Sequence, residues 1–211
     1  MKQLLLTVLL SYAGIALQAQ DHLPQTYSIA VGGGVTLPLV EGNRNEFFNK
    51  NGDRAGYDLM LEGRYYLTPY FALGAQYDYL RIADLPDKVH VHYVRPAATL
   101  RYLWSDGDKG AFFGFGIGYM NYQERTYRRG DRYGYLFQKG YFGLSFSMGY
   151  EFRITGKVSG IFRGDILMAD WVNNPDARLY NPDGYDDGVN HNWFKSNITF
   201  FNLGFAIQFG R

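Results

Sequence analysis

His90 and His92 stand two residues apart in the run HVHY, so on an extended chain both imidazoles share one face and could hold a metal ion together. Rings of this kind are also at home at a boundary between apolar and wet surroundings, beside aromatics, and that reading is preferred. His191 lies five residues before Ser196, which suggests a Ser/His hydrolase. A base must reach its nucleophile within hydrogen-bond distance, and this spacing disfavours the pair, so no catalytic residue is assigned. The stretch VNNPDARLYNPDGYDDGVNHN repeats Asn-Pro-Asp at 174–176 and 181–183 and adds Asp186 and Asp187. Clustered oxygens could bind calcium or a sugar, but the spacing of a calcium loop is missing and these residue types make tight turns in any case. No metal and no cofactor is therefore expected.

The most basic stretch is ERTYRRGDRYG, Glu124 to Gly134, with Arg125, Arg128, Arg129 and Arg132. Guanidinium groups bind phosphate oxygens in bidentate fashion, so these side chains could contact lipid phosphates, although ordinary solvated loop charge is the preferred reading. The embedded Arg129-Gly130-Asp131 is an integrin-type tripeptide in form, and it also makes a good turn. Asn197-Ile198-Thr199 has the form of a glycosylation triplet, but it falls inside an expected strand.

What must position these groups is a set of strands. In YFGLSFSMGYEFR, Phe142, Leu144, Phe146, Met148, Tyr150 and Phe152 alternate with Gly143, Ser145, Ser147, Gly149, Glu151 and Arg153. Period two means a strand with one apolar and one small or polar face. Eight such segments are predicted, at about 27–38, 56–67, 70–82, 88–104, 111–127, 140–153, 158–171 and 193–209. Connections after the second, fourth and sixth are tight, whereas those after the first, third, fifth and seventh are longer or more polar. An up-and-down barrel with both ends on one side has three turns on that side and four loops on the other. Nearly every segment reaches the ~9 to 11 residues that a tilted strand needs to cross hydrocarbon.

The apolar faces carry sets such as Val31, Val35 and Leu37, or Phe113, Phe115 and Ile117. The opposite faces collect Asp58, Glu62, Arg64, Asp78, Arg95, Arg101, Glu124, Glu151, Arg153, Arg163 and Asp165. Unpaired charge in a dry interior is expensive. Facing one another inside a narrow eight-stranded cylinder, acids and bases can pair and fill the space. The expectation is an all-β, eight-stranded antiparallel up-and-down transmembrane barrel with its apolar face toward lipid and a plugged, charge-paired lumen. Charge on Phe146 should then be far worse tolerated than charge on Ser147.

At the chain level, MKQLLLTVLLSYAGIALQAQ has a Lys before an apolar run and small residues around Ala19, the layout of a secretory signal peptide over 1–19. Residues 20–211 are then one barrel domain. No Cys occurs, so there is no disulfide framework and no thiolate chemistry. The 21 Lys and Arg, one of them Lys2, balance 20 Asp and Glu, so nothing suggests a nucleic-acid partner. High Tyr, Phe and Gly counts of 19, 16 and 26, without long apolar runs after the leader, favour strands over membrane helices.

The last strand reads NLGFAIQF. Asn202, Gly204, Ile207 and Phe209 in these spacings resemble the assembly signal of bacterial outer-membrane barrels, although Gly210 and Arg211 follow the aromatic that usually ends the chain. With the leader and eight amphipathic strands, the chain resembles small barrels of the OmpA/OmpX type, the outer membrane protein β-barrel domain family. That resemblance implies the outer membrane of a Gram-negative-type bacterium, reached through the periplasm, and delivery by the barrel-assembly machinery. It also implies contact with lipid and lipopolysaccharide, the latter at Arg125, Arg128, Arg129 and Arg132, and envelope proteins as partners. The role implied is structural or surface-binding, not catalytic. The alternatives are a narrow, porin-like channel for small apolar solutes and a lipid-modifying enzyme. Outer-membrane lipid A deacylases keep their His and Ser two apart on one strand, which this sequence does not reproduce.

Overall fold

In the computed structural model, residues 27–40, 46–104, 108–127, 135–169 and 198–210 are described. The predicted leader over 1–19, Arg128, Arg129, Arg132, the Arg129-Gly130-Asp131 tripeptide, the Asn-Pro-Asp loop, His191, Ser196 and Asn197 lie outside them.

Eight strands run in chain order: β1 (Tyr27–Val40), β2 (Gly56–Thr68), β3 (Phe71–Asp84), β4 (Asp87–Trp104), β5 (Lys109–Thr126), β6 (Tyr135–Thr155), β7 (Val158–Ala169) and β8 (Ile198–Gly210). Each pairs antiparallel with its sequence neighbours, and β1 pairs with β8, so the sheet closes into a barrel with no free edge. Tyr27 and Gly210 mark its inner end.

The second outer connection, after β3, departs from the expected longer loops, because only Leu85 and Pro86 separate β3 from β4. The first outer connection departs in another way. It contains one short helix, α1 (Glu46–Asn51), where the sequence showed turn-rich polarity around Phe47 and Phe48. Gly52, with φ 70°, ends that helix, and its N–H bonds to the Phe48 carbonyl at 2.9 Å. An L side chain is strained in that backbone region, which is why glycine stands there.

The lipid-type faces point outward as the alternation predicts. Val31, Leu59, Leu61, Leu73, Val94, Leu100, Phe113, Phe115, Ile117, Leu203 and Phe205 are all exposed on the outside. Near the inner end this band meets Tyr102, Trp104 and Tyr150, with Trp104 5.8 Å from each of the other two rings. Toward the outer end it meets Tyr57, Tyr77, Tyr79 and Tyr119, with Tyr57 and Tyr79 6.4 Å apart. Aromatic girdles flanking an apolar band are how a transmembrane barrel meets the two water interfaces.

Above the outer girdle the faces exchange character. On β3 to β6 the outward side chains become Arg81, Lys88, His90, His92, Asn121, Gln123, Arg125 and Gln138, while Leu80, Ile82, Val89, Val91, Tyr93, Met120 and Tyr122 are buried inside. Period two survives, but the apolar set has changed sides. A wall that is polar outside and apolar inside is arranged like a water-soluble protein, so this outer part of β3 to β6 stands clear of the hydrocarbon.

Candidate functional site

The inner part of the lumen is a chain of ion pairs. Arg64 holds Glu62 through two hydrogen bonds, Nε to Oε1 at 2.7 Å and Nη2 to Oε2 at 2.9 Å, and reaches Glu151 Oε1 with Nη1 at 2.6 Å. Arg101 Nη2 takes the other Glu151 oxygen at 2.7 Å, and its guanidinium lies 4.7 Å from the centre of the Tyr66 ring. These groups come from β2, β4 and β6, so the network cross-links strands that are not neighbours.

Arg163 is the hub. It donates Nε to Asp165 Oδ2 at 2.7 Å and Nη2 to Asp165 Oδ1, Nη1 to Glu62 Oε2 at 3.1 Å, and Nη2 to Gln76 Oε1 at 3.0 Å. Ser147 Oγ donates to Asp165 Oδ1. Arg95 Nη1 and Asp78 Oδ2 approach to 2.9 Å as an ion pair, not as an aligned hydrogen bond, and Gln76 Nε2 donates to the other Asp78 oxygen at 2.7 Å. The arginines fit because small residues make room: a Cβ on Gly116 would sit 2.8 Å from Arg95 Cδ.

Three of the predicted lumen residues sit differently from this core. Asp58 is buried with its Oδ1 unpartnered. Arg153 lies at the inner rim, half-exposed, and pairs with Asp108 at 2.8 Å. Glu124 points inward at the opposite end, where it belongs to a different structure. The polar lumen expected throughout gives way there to one apolar cluster of Val40, Leu80, Ile82, Val89, Val91, Tyr93, Met120, Tyr122, Leu167, Ala169, Ile198 and Phe200. Phe47 and Phe48 of α1 complete it, almost fully buried, so the helix plugs the outer mouth.

Polar latches fix α1. Glu124 Oε1 accepts the Phe47 N–H, and Glu124 Oε2 accepts the Tyr122 hydroxyl at 3.1 Å. Asp87, at the tip of the β3–β4 hairpin, accepts Lys50 Nζ at 2.6 Å, Asn51 Nδ2 at 3.0 Å and the Tyr127 N–H at 2.8 Å. Burial alone would raise the Asp87 pKa, but hydrogen bonds from Lys50, Asn51 and Tyr127, with the Lys50 charge, outweigh it and hold the carboxyl below its ordinary value. A carboxyl depressed in the folded state contributes stability above its unfolded pKa of about 3.9, which is lost as pH falls through the folded value. Protection of the α1 amides, taken relative to the intrinsic exchange rate at each pH, should therefore hold from about pH 8 to 5 and fall only below about pH 4. Asp87→Asn should exchange faster already at neutral pH. Loss of protection as pH falls from about 8 to 6 would assign the latch to another group.

On the outer wall, Tyr79 Oη and His90 Nδ1 are 2.6 Å apart, and Tyr77 Oη and His92 Nδ1 2.8 Å. Each imidazole thus has one nitrogen taken by a tyrosine of β3, and among the described residues no three His, Cys, Asp or Glu side chains gather as metal ligands. Arg125 lies in β5, within the predicted segment 111–127, and faces outward. Arg81 and Lys88 beside it are cations that the sequence reading passed over. Their register, opposite His90 and Arg125, is what brings the basic side chains together. On β8, Asn202 is buried in the lumen, whereas Ile207 and Phe209 lie on the outward face.

No protein-family model and no curated protein matches the sequence. Solved structures do match the fold. Neisserial surface protein A (NspA) aligns over 88% of this chain and 97% of its own, with a TM-score of 0.61 at 10% identity. Ail, the attachment invasion locus protein of Yersinia pestis, aligns over 89% of this chain and 100% of its own, with a TM-score of 0.51 at 10% identity. Identities this low establish shared architecture. The chain has the fold of the small eight-stranded outer-membrane barrels, and its apolar band fits a membrane-spanning wall.

Proposed function

We propose that this protein is an integral outer-membrane barrel with a closed lumen, acting as a structural or surface-binding component of the envelope. The observation that carries this reading is double closure, by the arginine–carboxylate network of the inner lumen and by α1 over an apolar core at the outer mouth. A lumen filled at two levels leaves the outer surface as the working part. Phosphate-bearing lipid is its nearest partner, with Arg125 on the wall and Arg128, Arg129 and Arg132 in the following loop as contacts. In the same reading a secretory leader over 1–19 delivers the chain to the periplasm, and Asn202, Gly204, Ile207 and Phe209 serve the barrel-assembly machinery. Envelope proteins are further partners for the loops, and no catalytic role is assigned.

The apolar outer lumen favours a second reading, passage of small apolar solutes once α1 withdraws. Planar bilayers and liposomes separate the two. The closed-lumen reading expects no stepwise ionic current and no faster entry of an apolar dye than in protein-free liposomes. Reproducible current would overturn it, and faster dye entry that grows on deleting residues 46–51 would select the second reading.

A further inference from the structure

Lys88 and Arg125 stand directly opposite each other on β4 and β5, and Arg81 stands opposite His90 on β3 and β4. Like charges set directly opposite on a sheet are destabilising, so this arrangement calls for a compensating anion. Among the described residues none supplies it. Asp84 is taken by Arg54 at 2.9 Å, Asp87 by Lys50 and Asn51, and Glu124 turns inward to the Phe47 N–H. Arg81, Lys88 and Arg125 have no ion-pair partner among the described residues. Lys88, His90, Gln123, Glu124 and Arg125 line a depression of about 210 Å³.

Position selects the kind of anion. Arg81 and His90 lie in the row of outward side chains next to the one holding Tyr79 and His92, and the following row toward the inner end holds Tyr77, Val94 and Tyr119. The cations therefore stand immediately above the outer aromatic girdle, where headgroups meet the barrel, with the apolar band beneath them for acyl chains. Three fixed positive charges repel a metal ion and favour phosphate. The Tyr79 hydroxyl and the parallel ring at 5.9 Å orient His90, whose Nε2 is the remaining polar atom of the ring.

We propose that Arg81, Lys88, His90 and Arg125 form a binding site on the outer wall of β3, β4 and β5 for the phosphate groups of a phosphorylated outer-leaflet glycolipid. The site rests on the outer-membrane reading and deepens it, since it moves the phosphate contact from the loop arginines to a rigid wall.

The test uses the full-length protein in phosphatidylcholine nanodiscs with and without bis-phosphorylated lipid A, with bound lipid counted by native mass spectrometry. The combined Arg81→Gln, Lys88→Gln and Arg125→Gln variant should bind lipid A at least about tenfold more weakly, the loss of one or more charge-assisted hydrogen bonds. In pure phosphatidylcholine the same variant should unfold at an equal or higher temperature than the wild type, because repulsion between opposed cations is gone. Unchanged lipid A binding by this variant overturns the site, as does a lower unfolding temperature without lipid A. Binding abolished only by combined Arg128→Gln, Arg129→Gln and Arg132→Gln places the contact in the loop, which overturns the wall site while leaving the surface-binding reading intact. Inorganic pyrophosphate that competes as well as lipid A would overturn the lipid assignment. Membrane integration is read separately, from the resistance of the folded barrel to unboiled detergent.

Discussion

Arg163→Met should destabilise the folded barrel by about 3 to 5 kcal/mol, measured by urea unfolding in lipid vesicles, because it strands buried carboxylates. Arg163 serves Asp165 and Glu62 together and also binds Gln76, so no single neighbour can replace it. Glu62 keeps its two bonds from Arg64, whereas Asp165 keeps only Arg95 at 3.4 Å and the Ser147 hydroxyl. The loss should therefore fall mainly on Asp165. Adding Asp165→Asn, which leaves an acceptor for Ser147, should recover a substantial part of it. A double variant as unstable as Arg163→Met would show that the arginine acts through packing and not through charge.

Phe146→Arg carries the second large expectation, a cost of about 2 to 4 kcal/mol or failure to assemble, since it puts a cation on the lipid face near the middle of the band. The Phe146 ring centre lies 5.4 Å from that of Phe115 and 6.3 Å from that of Phe113, well away from either aromatic girdle. Heat-modifiability of the folded barrel reads assembly, and a variant that folds as well as wild type would place this face away from lipid. The partner substitution needs revision in the light of the lumen. The sequence predicts that charge on inward Ser147 costs less than charge on Phe146, but Ser147 donates to Asp165, so Ser147→Asp would set two carboxylates together. Ser147→Ala is the mild inward change, and its cost should stay well below that of Phe146→Arg.

The strands were legible because period two is a local property, and the inward or outward sense of each face followed from where the charges fell. Tyr57, Leu59 and Leu61 face out and Asp58 and Glu62 face in on the same six-residue stretch. The exchange of faces above the outer girdle was not legible, because alternation alone does not say which set is inside. Val89, Val91 and Tyr93 alternate with His90 and His92 as cleanly as any lipid-facing set, yet the apolar residues point inward. The α1 plug was hidden for a different reason. Six residues between Asn, Gly and Asp carry little helical signal, and Phe47 and Phe48 become helical by burial against the wall. Opposed cations such as Lys88 and Arg125 lie 37 residues apart, and only the register reveals them.

The seat of α1 is assembled from residues of β1, β3, β4, β5, β7 and β8. The ring formed by those walls is complete only where β1 pairs with β8. The helix follows the very first strand in sequence, yet its docking place includes Ile198 and Phe200 of the final one. Its latches, Asp87 on β4 and Glu124 on β5, belong to neighbouring strands and need no closed seam, whereas the apolar seat of Phe47 and Phe48 is whole only in the closed barrel.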